Sequence, residues 1–295
     1  MSSIQRVGIL GGGLMGSGIA QVAAQAGFDT VVREVSDALA ARARGAVEKS
    51  LAKGVERGKV AAADRDAALG RLRTTTALAD LARCDIVIEA VVEDLDVKGA
   101  LWKELDAICP AETIFASNTS SLTIAALAAE TARADRVVGL HFFNPVPAMK
   151  LVEVVRTVTT SAATFERTFD FARALGKEPI AAKDTSGFVV NRLLVPFLLD
   201  AVAALEQGVA SVEDIDRGMT LGAGHPMGPF ALLDLVGLDT IYKVAEVMFA
   251  EYREKRYAPP PLLKRMVLAG MYGRKSGRGF YDYAQDPPGV SELGL

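Results

Sequence analysis

A chain of 295 residues with 33 basic and 36 acidic side chains and a formal net charge of -3 lacks the positive field that a nucleic-acid partner requires, and it is long enough for two domains with separate cores. Hydrophobic residues make up 50% and mean hydropathy is +0.24, so part of the apolar surface is expected to lie between subunits. No membrane segment is expected, because the longest apolar run, residues 187–208, is interrupted by Asn191, Arg192 and Asp200.

Taken in chain order, Val7–Leu10 reads as a short buried strand that runs into Gly11, Gly13 and Gly16, a G-x-G-x-x-G spacing. A helix over Leu14–Gln25 follows, with Met15, Ile19, Val22, Ala23 and Ala26 on one stripe. In that order the first glycine turns the chain, the second admits a pyrophosphate and the third lets the helix pack on the sheet, its N-terminus aimed at the anion. Thr30–Val32 is the second strand and Glu34 closes it, about 20 residues on, where a carboxylate accepts from ribose hydroxyls and repels a 2′-phosphate. NAD is therefore expected over NADP, although the neighbouring Arg33 weakens that discrimination.

Residues 36–60 form one long helix or a helical hairpin, with Ser36 as N-cap and Asp37 in the first turn. This stretch carries Arg42, Arg44, Lys49, Lys53, Arg57 and Lys59. Lys49, Lys53 and Arg57 recur at i, i+4, i+8 and share a face, with Ser50 close by. A solvated face and a site for an anionic ligand both fit that pattern.

The stretches "CDIVIEAV", "TIFASN", "VVGLHFF", "KLVEVV" and "EPIAAK" then read as strands alternating with helices. They predict an α/β domain, Rossmann-like, with a mostly parallel sheet covered on both faces. From about Gly187 onward nearly everything reads as helix, punctuated by "LGAGHPMGP" and "YAPPPL". The expected division is a dinucleotide domain over residues 1–185 and an all-helical domain over 186–295.

Only two histidines are available as a general base near neutral pH. His141 closes a strand at its carboxyl end, where ligands gather in open α/β sheets. His225 lies in a glycine-rich loop and reads as a packing residue. Glu153 on the next strand can hold one ring nitrogen of His141. Ser120 or Thr123, in or just after the polar run 117–122, can cap the next helix, and Asn191 inside an apolar helix requires either a ligand or an interhelical hydrogen bond. Cys84 and Cys109 form no C-x-x-C pair, and no metal is expected. "MSSIQRVGIL" reaches a strand at once, so no signal peptide is expected and the cytoplasm is the default compartment.

The motifs "GGGLMGSGIA", "VIEAVVEDLDVK", "ASNTSSL", "HFFNPVPAMKLVEVV", "KDTSGFVVNRLL", "LGAGHPMGPFALLDLVGLDT" and "YGRKSGRGFYDY" together resemble, in order and from end to end, the 3-hydroxyacyl-CoA dehydrogenase family, in particular its short 3-hydroxybutyryl-CoA type. The resemblance implies NAD-dependent interconversion of an (S)-3-hydroxyacyl-CoA and a 3-ketoacyl-CoA by a homodimer. It makes His141 the base, Glu153 its partner, and Ser120 and Asn191 the holders of the 3-oxygen and the nearby thioester or nicotinamide. It puts cofactor contacts on the glycine loop (Gly11, Gly13, Leu14, Met15, Gly16), Glu34, Glu93, Lys98, Ser120 and Asn144. Ser50, Lys53 and Arg57 are the expected handle for the CoA nucleotide. Two departures stand out: Glu34 where many relatives have aspartate, and Gly12 where many have alanine, the latter with no expected functional consequence. The alternatives are a dehydrogenase of a free hydroxy acid, gulonate-type, on the same fold, and a nucleotide sensor without turnover. A free acid needs no remote phosphate clamp, and a sensor needs no intact acid–base set.

Overall fold

In a computed structural model that describes residues 4–294, the chain divides after Phe188 into two compact units. The first is built on one eight-stranded sheet in the order β3-β2-β1-β4-β5-β6-β7-β8. The strands are β1 (Arg6–Leu10), β2 (Asp29–Arg33), β3 (Leu72–Thr75), β4 (Ile86–Glu89), β5 (Ile114–Ser117), β6 (Val137–Phe142), β7 (Leu151–Arg156) and β8 (Glu178–Lys183). Strands β1 to β6 are parallel, β7 runs antiparallel to β6, and β8 is parallel to β7. Order 3-2-1-4-5-6 is that of a dinucleotide fold, with its switch point between β1 and β4.

Helices α1 (Leu14–Gln25), α2 (Asp37–Glu56), α3 (Ala62–Arg71), α4 (Leu95–Ile108), α5 (Ile124–Ala128) and α6 (Ala162–Ala174) cover the sheet. Burial follows from residue type: β4, β5 and β6 are buried at every position, as sheet strands between two helical layers must be. One core cluster joins β1, α1 and α2 through Ile9, Ile19, Ala23, Val47 and Leu51; the other holds Trp102, Phe115 and Leu127. Helix α1 covers the predicted residues, and Ser36 Oγ accepts the Leu39 N–H as the predicted cap of α2. Helix α2 ends at Glu56, short of residue 60, where Gly58 turns the chain at φ +66°.

Two local expectations fail. Strand β3 lies between the helical stretch 36–60 and "CDIVIEAV", where no strand is expected, because "LRTT" is short and sits at the sheet edge. Neither Ser120 nor Thr123 caps α5; the Asp184 carboxylate, 60 residues on, accepts the Ile124 and Ala125 N–H groups at 2.8 and 2.7 Å. The second unit is helical, as expected, and closes on a small β-ribbon.

That unit comprises α7 (Val190–Glu206), α8 (Val212–Arg217), α9 (Pro229–Val236), α10 (Leu238–Tyr252) and α11 (Pro261–Leu268), followed by β9 (Tyr281–Asp282) paired antiparallel with β10 (Gly289–Val290). Its core includes Leu198, Val202, Phe230, Leu233, Met248, Leu263 and Phe280. Two buried carboxylates tie the ribbon down. Asp216 accepts from the Phe230 and Ala231 N–H groups and the Tyr281 hydroxyl, and Asp234 from the Phe280 and Tyr281 N–H groups and the Tyr283 hydroxyl. Burial pushes the Asp234 carboxyl up, with those hydrogen bonds opposing it.

Candidate active site

The glycine loop behind β1 has the geometry its spacing predicts. Gly11 sits at φ +87°, and a side chain there would meet the Ala90 carbonyl at 2.8 Å. A Cβ on Gly16 would lie 1.8 Å from the Gly11 carbonyl oxygen, so only glycine lets α1 start so close to the loop. A Cβ on Gly13, by contrast, would meet nothing within 4 Å: it opens on a cleft of about 470 Å³. No side chain caps the N-terminus of α1, which leaves its N–H groups for an anion.

Glu34 lines the same cleft, and its carboxylate accepts the Gly12 N–H at 2.6 Å and the Val35 N–H at 3.1 Å. Gly12 has a packing role. A Cβ there would sit 2.3 Å from the Ala43 Cβ, so the glycine is what admits α2 to the loop. Arg33 turns to the Thr76 carbonyl, at 3.3 Å. The set suits NAD: open backbone amides at a helix start for a pyrophosphate, and a fixed carboxylate for a ribose.

His141 and Glu153 meet because β6 and β7 are antiparallel and the two residues are in direct register. Opposite residues of an antiparallel pair share a face, so their side chains point the same way. His141 Nδ1 lies 2.7 Å from Glu153 Oε2, with the two residues 6% and 0% exposed. A carboxylate only accepts, so Nδ1 carries the hydrogen and Nε2 is left to take up a proton. The rings of Phe143 and Phe188 pack on the imidazole at 4.6 and 5.6 Å. Phe188 holds a left-handed backbone at φ +45°, uncommon for a bulky residue.

At the carboxyl ends of β4 and β5 lies a network the sequence shows only in part. Lys98 on α4 is 1% exposed and donates to both oxygens of Glu89, at 2.8 and 2.9 Å, and to Glu93 at 3.0 Å. Glu89, also 1% exposed, further accepts the Val91 N–H and the Ser117 hydroxyl. Glu93 accepts from the Thr119 and Ser121 hydroxyls and from the Ser120 N–H at 3.3 Å. Burial alone would raise the Glu93 carboxyl; the Lys98 ammonium and these hydroxyls outweigh it and hold it below its ordinary value.

Residues 6–185 match the model of the 3-hydroxyacyl-CoA dehydrogenase NAD binding domain, and residues 187–283 that of the C-terminal domain of the same family. The chain belongs to the 3-hydroxyacyl-CoA dehydrogenase family. It is 53% identical over 283 residues to the 3-hydroxybutyryl-CoA dehydrogenase of Mycobacterium tuberculosis, covering 95% of this chain and 99% of the relative. It is 48% identical over 288 residues to the human mitochondrial hydroxyacyl-coenzyme A dehydrogenase, covering 95% and 91%. The crystal structure of (S)-3-hydroxybutyryl-CoA dehydrogenase from Ralstonia eutropha superposes with a TM-score of 0.93 at 46% identity, covering 96% of this chain and 100% of that one.

The chain is thus an NAD-dependent dehydrogenase of this family, and no helix among the described residues is long and apolar enough to cross a membrane. Of the residues the sequence singles out, His141 and Glu153 touch, as do Lys98 and Glu93, and the Ser120 backbone hangs on Glu93. Leu14, Asn144 and Ser50 line the glycine-loop cleft with Gly13 and Glu34, whereas Met15 is partly buried against the core. Leu39, Arg42, Ala46 and Ser50 of α2 line that cleft at helical spacing, and exposed Lys53 and Arg57 continue the stripe. Asn191 is half-buried near the start of α7, in the second unit, and His225 packs on the Phe197 ring at 5.1 Å. Glu89 is the residue sequence reasoning missed. Its one signal was a carboxylate ending the apolar strand "IVIE".

Proposed function

We propose that this enzyme interconverts (S)-3-hydroxybutyryl-CoA and acetoacetyl-CoA, with His141 as general base and Glu153 as its partner. The carrying observation is the buried 2.7 Å contact between His141 Nδ1 and Glu153 at the carboxyl edge of the sheet. When bound, NAD⁺ accepts the hydride that leaves C3 of the substrate. The His141 Nε2 takes the 3-hydroxyl proton as that bond breaks, and the Glu153 carboxylate stabilises the resulting imidazolium. Ser120 and Asn191 hold the 3-oxygen and the nearby thioester or nicotinamide, and the glycine loop with Glu34, Glu93, Lys98 and Asn144 forms the cofactor's surroundings. The deciding assay is NADH oxidation with acetoacetyl-CoA beside longer 3-ketoacyl-CoAs and free keto acids. Turnover confined to the free acids would refute this reading and favour the gulonate-type alternative.

Two further outcomes belong to it. Glu34→Ala is expected to relax the preference for NADH over NADPH, because a carboxylate beside a 2′-phosphate is a like-charge clash. Steady-state rates with both cofactors measure this, and unchanged discrimination moves the ribose contact elsewhere. Replacing Lys53 and Arg57 together by Ala is expected to raise the KM for acetoacetyl-CoA several-fold, since exposed charge contacts are individually modest and screened by salt. An acetoacetyl thioester without the nucleotide serves as the control: equal losses on both substrates put the CoA handle elsewhere.

We place residues 1–185 as the NAD-binding domain and 186–295 as the substrate-binding and homodimerisation domain. Most of the apolar run in α7 serves its own core, yet Leu193 is 66%, Leu235 49% and Leu221 79% exposed, which supports burial against a second copy. The buried free thiols Cys84 and Cys109, pushed up to about 12 and about 11 mainly by burial, fit a reducing compartment such as the cytoplasm.

A further inference from the structure

Lys177 ends the turn between α6 and β8 and is 8% exposed, yet it makes no ion pair among the described residues. Its ammonium crosses instead to the loop that joins β6 to β7, donating to the carbonyl oxygens of Val146 at 2.5 Å and Met149 at 2.8 Å. The loop itself is short of donors, because Pro145 and Pro147 have no N–H. Its Ala148 and Met149 N–H groups both turn back to the Pro145 carbonyl, at 2.9 and 3.0 Å. A buried amine answered only by carbonyl dipoles is costly, and burial indeed lowers the Lys177 ammonium below its usual value.

The clamped loop is one wall of the glycine-loop cleft. Asn144, Pro145, Val146 and Pro147 line it together with Gly12, Gly13 and Leu14. Val146 is 2% exposed and packs on α1 at Gly18, where a Cβ would come within 2.8 Å of the Val146 Cβ. The wall is therefore fixed at two points, by close packing on α1 and by Lys177 from behind.

We infer that Lys177 is a positioning residue for the cofactor: by holding the Val146 and Met149 carbonyls it sets the Asn144–Pro147 wall against α1 and so sets the affinity for NADH. The inference rests on the proposed reading of this cleft as the NAD site. Lys177→Met keeps the aliphatic stem and removes the donors. It leaves two acceptors to find new partners, and hydrogen bonds from a charged donor are among the stronger ones.

The test is a fluorescence titration with NADH, without acyl substrate, beside steady-state kinetics. Lys177→Met is expected to weaken NADH binding by about tenfold or more, while the KM for acetoacetyl-CoA at saturating NADH stays within about twofold. Lys177→Arg, which keeps charged donors, is expected to recover most of the affinity. Lys177→Gln is expected to fall between and serves if the methionine variant does not fold. Leu263→Ala in the core of the second unit controls for general destabilisation. If it weakens NADH as much as Lys177→Met does, or if Lys177→Met and Lys177→Gln bind NADH like wild type, Lys177 has no positioning role. Gly13→Val, whose side chain would fill the cleft, separates the two levels of argument. Blocked NADH binding in that variant with wild-type binding in Lys177→Met sinks this inference alone, whereas intact binding in Gly13→Val sinks the cleft assignment and the inference with it.

Discussion

Replacing His141 by Gln is expected to lower turnover by about 10²-fold or more while NADH binding stays close to wild type. Glutamine can hydrogen-bond to Glu153 from the same position on β6, but its amide cannot take up a proton at neutral pH. What is lost is an interaction made as the 3-hydroxyl proton moves, and it belongs to the transition state rather than to cofactor affinity. Glu153→Gln tests the partner separately. It keeps an oxygen that can accept the His141 Nδ1 hydrogen and removes the charge that stabilises the imidazolium, so turnover is again expected to fall by on the order of 10²-fold. Steady-state rates with acetoacetyl-CoA and NADH, beside an NADH titration, measure both terms. Near-normal turnover in His141→Gln would remove the base assignment. A parallel loss of NADH affinity in both variants would mean that the substitutions disturb the sheet rather than the chemistry.

The sequence made the cofactor half of this molecule legible because its requirements are local. Gly11, Gly13 and Gly16 stand next to the strand and helix they serve, and α1 falls on the predicted residues. The His141–Glu153 pair was readable one level less directly. Both residues end up on neighbouring strands, but their contact depends on β7 running antiparallel to β6, a direction that neither strand's pattern reveals. Strand β3 escaped because an edge strand of four residues between charged helices has no period of its own. The deeper omissions share a physical cause. The resemblance marks Lys98 only as a cofactor contact and nothing in the sequence singles out Lys177; only the fold shows that their ammonium groups are buried and what answers them. Likewise Asp184 caps a helix 60 residues away, a pairing created by tertiary proximity rather than by spacing.

The buried network around Lys98 carries the second large expectation. Lys98→Met is expected to destabilise the first unit by about 3–5 kcal/mol, the usual cost of removing one partner of a buried pair and leaving the other charge without its counterion. Glu89 keeps the Val91 N–H and the Ser117 hydroxyl, but with 1% exposure it has no access to water in place of the ammonium. The double variant Glu89→Gln/Lys98→Met should recover part of the loss, because replacing both members by neutral groups removes the uncompensated charge. The readout is built into the same helix. Trp102, the single tryptophan of the chain, is 1% exposed on α4 and packs edge-on against Phe115 at 5.7 Å, so its emission follows unfolding of this unit. A urea titration followed at Trp102 should show the midpoint falling sharply in Lys98→Met and recovering in the double variant. The result also decides between two roles for the residue. A Lys98 that served mainly as a cofactor contact would, when replaced, weaken NADH binding and leave the urea midpoint where it was. The ammonium is spent on Glu89 and Glu93, and Glu93 in turn holds Thr119, Ser120 and Ser121, so we expect the opposite order: stability falls first, and NADH affinity only as that polar loop loosens.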